Sequence, residues 1–136
     1  MRLTADTSVL VRAALGDDPE QARLAATVLR KAELIAVPLP VLCEFVWVLR
    51  RAYRMSTDDV ALALDRLMSA PNVTYDEQAA EHGLALLRRG GDFADGVIAY
   101  SGLQLGGTEF VTFDRQAARL ATESGLRARP LDSPSG

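Results

Sequence analysis

A chain of 136 residues, 49% hydrophobic and 24% charged, is the size of one ordinary domain and apolar enough to build a core, so disorder is not its expected state. Its formal charge of −3 argues mildly against a generally basic nucleic-acid binder. Cys43, the only cysteine, excludes an internal disulfide and a Cys-rich zinc site. No apolar run reaches the ~18 residues of a membrane span, and "MRLTADTSVLV" lacks the apolar core of a signal peptide, so a cytoplasmic protein without membrane partners is expected.

In chain order, "RLTA" reads as a short strand and Thr7 to Leu15 as a helix. "DDPEQARLAATVLRKA" is a second helix, capped by Asp17 or Asp18 with Pro19 at its first position. "ELIAV" is a strand. Pro38 or Pro40 opens a long helix through about Tyr53, and "STDDVALALDRLMSA" is a helix capped by Ser56 or Thr57. "NVTY" is a strand, and "DEQAAEHGLALLRR" and "DFADGVIAYSGLQLG" are helices. "EFVTF", "DRQAARLATES" (ended by Gly125) and "LRARPL" complete a strand–helix–strand unit. This alternation predicts a mostly parallel sheet covered on both faces by helices. A single domain over 1–131 and a loose tail over 132–136 are expected.

The acids fall at telling positions. Asp6, in "LTADTSVLV", and Asp114, after "EFVT", each lie where a strand ends and a helix begins. There a carboxylate serves as an N-cap, but the carboxyl edge of a parallel sheet is also where ligands bind. Thr7 and Thr112 place hydroxyls beside them. Asp92 and Asp95 are three apart at one helix start, where capping accounts for Asp92 more readily than for Asp95. Glu44 is the only charge between Ala36 and Leu49. Its helical neighbours Pro40, Val41, Trp47 and Val48 are all apolar. That predicts a buried carboxylate needing a cation or a partner. The alternatives are an ion pair with an arginine or an edge position that reaches water.

Four or five converging carboxylates repel one another and cannot all stay ionised without cations. Oxygen-only ligands select Mg²⁺ or Mn²⁺. Setting those five acids aside leaves 13 acids against 15 Lys and Arg, a slightly basic remainder. Elsewhere, the lone His82 reads as a surface or helix-packing residue. Ser8 and Ser101 have no histidine placed to activate them, and the Gly pairs match no phosphate-loop pattern. Trp47 and Tyr53 are expected in the core. The arginines at 50, 51, 54, 88 and 89 read mainly as solvated faces.

In order and spacing, "LTADTSVLV", "VPLPVLCEFVWVLRRAY", "DFADGVIAYSGLQLG" and "VTFDRQAARLA" resemble the PIN-domain family, and within it the VapC-like toxin ribonucleases of bacterial toxin–antitoxin pairs. The resemblance covers nearly the whole chain. The family's acids match Asp6, Glu44, Asp95 and Asp114, with Asp92 as an accessory acid. Gly96 departs from the alanine common at its position. The resemblance implies a three-layer sandwich with a central five-stranded parallel sheet. It also implies a Mg²⁺-dependent endoribonuclease, with Mn²⁺ able to substitute, that cuts RNA phosphodiesters through metal-activated water. In that reading Asp6 and Asp95 bind the metal most directly, with Glu44, Asp92 and Asp114 acting directly or through water and Thr7 and Thr112 as accessories. An inhibitory antitoxin and a homodimer are implied as partners. Two rival classes stay open: a Mg²⁺-dependent phosphatase with an aspartyl nucleophile at Asp6, and a catalytically silent interaction module whose acids are only caps.

Overall fold

The computed structural model describes residues 1–132, and its contacts divide the chain into two compact units, Met1–Asp76 and Glu77 onward. In the first unit β1 (Arg2–Thr4) leads into α1 (Thr7–Leu15) and α2 (Pro19–Lys31), then β2 (Leu34–Ala36) and α3 (Leu39–Trp47). The axis of α3 continues through a π-helical turn, Val48–Ala52, before α4 (Thr57–Ser69) and β3 (Val73–Thr74). Local chemistry sets these boundaries. The Asp18 carboxylate accepts from the Gln21 N–H at 3.1 Å with Pro19 at the first helical position, and the Ser56 hydroxyl accepts from the Asp59 N–H at 3.1 Å. Gly16 ends α1 at φ 66°, where a Cβ would be strained.

The three strands run parallel in the order β1-β2-β3, with Leu3 opposite Ile35 and Ile35 opposite Val73. The Asn72 amide donates to the carbonyls of Leu29 and Ala32, both at 3.0 Å, fixing the end of α2 beside β3. Leu10, Ile35, Leu42, Phe45, Leu49, Val60 and Leu64 form the core of this unit. Leu42, Phe45 and Leu49 repeat at helical spacing, so one face of α3 turns inward.

The second unit holds α5 (Glu77–Arg88), α6 (Phe93–Gln104), β4 (Phe110–Thr112), α7 (Arg115–Glu123) and β5 (Ala128–Pro130). β4 and β5 pair in parallel, Phe110 opposite Ala128. α5 and α6 pack closely because glycines face each other. A Cβ on Gly96 would run into the His82 carbonyl and stand 2.8 Å from the Gly83 Cα, and one on Gly83 would meet the Phe93 ring at 2.7 Å. Phe93 is fully buried, a contribution of about 1.5–3 kcal/mol. The His82 and Tyr100 rings stack at 4.6 Å across the same helix pair, so His82 is a packing residue.

The parallel α/β class and the order of elements agree with the sequence reading. The five-stranded sheet does not: the strands close into one three-stranded and one two-stranded ladder. Strands of two or three residues carry few ladder bonds, and lateral neighbours far apart in sequence leave no local signal. The expected loose tail lies, but for Asp132, outside the described residues. Asp132 itself pairs with Arg115 at 2.5 Å. No helix among the described residues is long and apolar enough to cross a membrane.

Candidate active site

In the first unit, Asp6 leaves β1 in extended conformation and caps α1. Its Oδ1 accepts from the Thr7 N–H at 2.9 Å, and its Oδ2 accepts from the Ser8 hydroxyl at 3.2 Å. Asp6 is exposed and Thr7 beneath it is buried. Glu44 sits mid-way along α3, opposite the buried Leu42, Phe45 and Val46. The expectation of burial fails for Glu44. It is exposed, and it has no ion-pair or hydrogen-bond partner among the described residues. Its apolar neighbours misled because they lie outside too: Pro40 and Trp47 are exposed and Val41 and Val48 only partly covered. Trp47 is 59% exposed and Tyr53 38%, so neither is the core residue expected. A cleft of about 400 Å³ in this unit, lined mainly by apolar residues such as Leu10, Ile35 and Phe45 with Arg30, Arg66 and Asn72 also in its wall, includes none of the acids.

In the second unit, Asp92 caps α6, accepting from the Ala94 N–H at 3.2 Å. Asp95 is the third residue of that helix. Its N–H donates to the Asp92 carbonyl at 3.2 Å, while its carboxylate, partly buried, has no partner among the described residues. Asp114 follows β4 and caps α7, accepting from the Ala117 N–H at 3.1 Å, and its own N–H donates to the Thr112 hydroxyl at 3.0 Å. Thr112 thus holds the turn that presents Asp114.

Electrostatics single out Asp95. Burial raises its pKa above the ordinary carboxylate value, and the negative charges of Asp92 and then Asp114 raise it further. The helix N-terminus would favour the charged form, yet desolvation and like charge prevail. Capping chemistry alone accounts for Asp6, Asp92 and Asp114, each of which satisfies a backbone donor, but not for Asp95 or Glu44.

Among the described residues, no three His, Cys, Asp or Glu side chains are gathered closely enough to hold a metal ion between them. Asp92 and Asp114 are near enough to repel Asp95 while their oxygens stay on backbone N–H groups. The donor chemistry still suits a hard divalent cation. It is oxygen-only and like-charged, and Asp95, unpartnered among the described residues, has a raised proton affinity that a cation would relieve. One buried group that the sequence left without a role, the Ser101 hydroxyl of α6, has no hydrogen-bond partner among the described residues. Serine is too common in helices for its sequence to signal this.

Compared with curated proteins, the chain finds no significant match. The family model of the PIN domain matches residues 4–123, a span that runs through both units and includes Asp6, Glu44, Asp92, Asp95 and Asp114. With most of its length matched, the chain belongs to the PIN-domain family.

Proposed function

We propose that the protein is a Mg²⁺-dependent endoribonuclease that acts as the toxin of a toxin–antitoxin pair, with 1–131 as its catalytic domain. PIN domains are generally nucleases, that is, hydrolases. The observation that carries the reading for this chain is Asp95: a partly buried carboxylate at a helix start, without a partner and repelled by Asp92 and Asp114. A carboxylate kept so costs stability unless a cation uses it. Asp6 and Asp95 would hold Mg²⁺ or Mn²⁺, with Glu44, Asp92 and Asp114 contributing directly or through water. When bound, the cation would stabilise charge on the phosphate and lower the pKa of the attacking water. Thr112 orients Asp114, and the Ser8 hydroxyl and Thr7 N–H orient Asp6. No side chain forms a covalent bond in this reading. A second copy of the chain and an inhibitory antitoxin are the proposed protein partners.

The silent-module reading has one observation of its own, since three of the five acids cap helices. A single experiment separates the two. A labelled single-stranded RNA is incubated with the protein in Mg²⁺, Mn²⁺ or chelator, and melting temperatures are recorded in the same buffers. The nuclease reading expects cleavage only with cation and a higher melting temperature there, since a ligand of the native state alone stabilises by RT ln(1 + [L]/Kd). Absence of both would favour the silent module, with Asp6, Asp92 and Asp114 serving only as caps.

A further inference from the structure

The outer face of α3 carries more than Glu44. Trp47 follows it by three residues, on the same side of α3, and Arg51 follows by seven, in the turn beyond. At about 1.5 Å per residue Trp47 stands roughly 4.5 Å along the axis from Glu44, and Arg51 lies further along, within the π-helical turn. All three are exposed, while Leu42, Phe45 and Leu49 hold the opposite face in the core. Beyond Trp47 the chain winds into the π-helical turn, whose extra residue per turn shows in the Tyr53 N–H donating to the Val48 carbonyl at 3.2 Å. Arg54 then takes φ 54°, the one non-glycine residue with positive φ among those described. A π-turn and a left-handed arginine are both unfavourable local choices that persist at functional places.

The segment is also fixed. The Tyr53 hydroxyl donates to Asp17 at 2.9 Å and accepts from Arg12 at 3.2 Å, and Arg50 donates to the Met55 carbonyl at 3.2 Å. That leaves Arg51 and Arg54, both exposed, with no ion-pair or hydrogen-bond partner among the described residues. From Trp47 to Met55 there are three arginines and no acid.

We propose that Trp47, Arg51 and Arg54 form a positioning track for single-stranded RNA leading away from Glu44, with the Trp47 indole stacking a base and the two guanidiniums holding successive phosphates. The inference rests on the ribonuclease reading above and names how its substrate is held. Unpaired guanidiniums beside an exposed indole match the two surfaces of a single strand, phosphates and base faces.

The test uses the full chain and a short fluorescent single-stranded RNA. Binding is followed by anisotropy in chelator over a range of salt, and cleavage is followed separately in Mg²⁺. Trp47→Ala should weaken binding about 5- to 150-fold, the loss that removing one base–aromatic stack produces, and Trp47→Phe should recover most of it. Arg51→Gln and Arg54→Gln should each flatten the plot of log K against log salt by about 0.7, one phosphate contact on a single strand, and Arg51→Lys should restore the slope. Trp47→Ala, Arg51→Gln and Arg54→Gln should each raise KM for cleavage with little change in kcat. If the wild type binds and these variants bind with unchanged Kd and slope, the track is wrong while the ribonuclease reading stands. If binding falls as expected but the wild type cuts no RNA in either cation, the track stands and that reading falls. A protein that binds no RNA overturns both. A Trp47→Ala variant that turns a dimer into a monomer without loss of RNA binding makes this surface a subunit face and overturns the track.

Discussion

Glu44 in the first unit and Asp95 in the second are the two candidate acids that cap nothing, and they differ in how the fold holds them. Asp95 lies in the first turn of α6, where the glycine contact between α5 and α6 draws the helix start into partial burial beside two other carboxylates. Glu44 projects from the middle of α3 into water, beside an exposed tryptophan. The candidate acids are therefore not set apart here by burial. What the two share is that no backbone donor or arginine uses them, whereas Asp6, Asp92 and Asp114 each complete a helix. An acid that completes a helix should cost stability when removed, and an acid that does not should cost activity alone.

The largest effect expected on that basis is catalytic. Asp95→Asn and Glu44→Gln should each lower RNA cleavage about a hundredfold or more, the scale on which one group stabilising transition-state charge acts. Circular dichroism should show both folded. Wild-type cleavage by either variant, with the same metal dependence, would remove that residue from the site.

The next effect tests what places Asp95. The resemblance makes alanine the usual residue at Gly96, and helix propensity alone predicts that Gly96→Ala stabilises by about 1 kcal/mol. The structure predicts the opposite sign. The new methyl meets backbone, the His82 carbonyl and the Gly83 Cα, which cannot swing aside as a side-chain tip can. Overpacking of this kind costs about 1–3 kcal/mol. A urea melt with a lower midpoint and unchanged slope would bear this out, and a raised midpoint would show that the helices can part without penalty.

Gly96 also shows what was legible in the sequence. Helix starts were readable because Asp18–Pro19, Ser56, Asp92 and Asp114 are capping residues whose chemistry is local. The acids could be chosen because they stood at those starts or broke an apolar run. What depends on distant neighbours was not readable. The close approach of α5 to α6 needs Gly83 and Gly96 to meet, and their sequence separation conceals that. The five-stranded sheet was what the resemblance implied, and the alternation of elements, which says nothing of lateral order, could not show the division into ladders of three and two. The exposure of Glu44 and Trp47 was missed because α3 is apolar on both faces, so its sequence does not mark which side is outside.

A smaller effect separates cap from charge at Asp114. Asp114→Ala removes the bond to the Ala117 N–H and should cost about 1 kcal/mol, whereas Asp114→Asn, an equally good cap, should leave stability nearly unchanged. Both should lose cleavage. Equal stability of the two would show that the cap is not what Asp114 contributes to the fold, and full activity of the asparagine variant would show that its charge serves nothing.

The smallest effect is the stability change itself at the two uncapped acids, measured by urea melts in chelator. Glu44→Gln alters an exposed side chain with no partner among the described residues, so it should move stability by no more than about 0.5 kcal/mol. A loss of several kcal/mol would mean that Glu44 is buried against a cation after all. Asp95→Asn should instead be stabilising at neutral pH, and the sign follows from its raised pKa. The folded protein holds the Asp95 proton more readily than the unfolded chain does, so stability falls as pH rises through the interval between the two pKa values. Above the folded pKa both states are ionised and the full penalty of the buried, repelled charge is present. The amide removes it. As pH drops below the folded pKa the wild type protonates Asp95 in the native state, and the advantage of asparagine should shrink, vanishing below the ordinary carboxylate value near ~3.9. An advantage that stayed constant from neutral pH to acid would mean that asparagine stabilises by packing, and the electrostatic contrast between Asp95 and Glu44 would be lost.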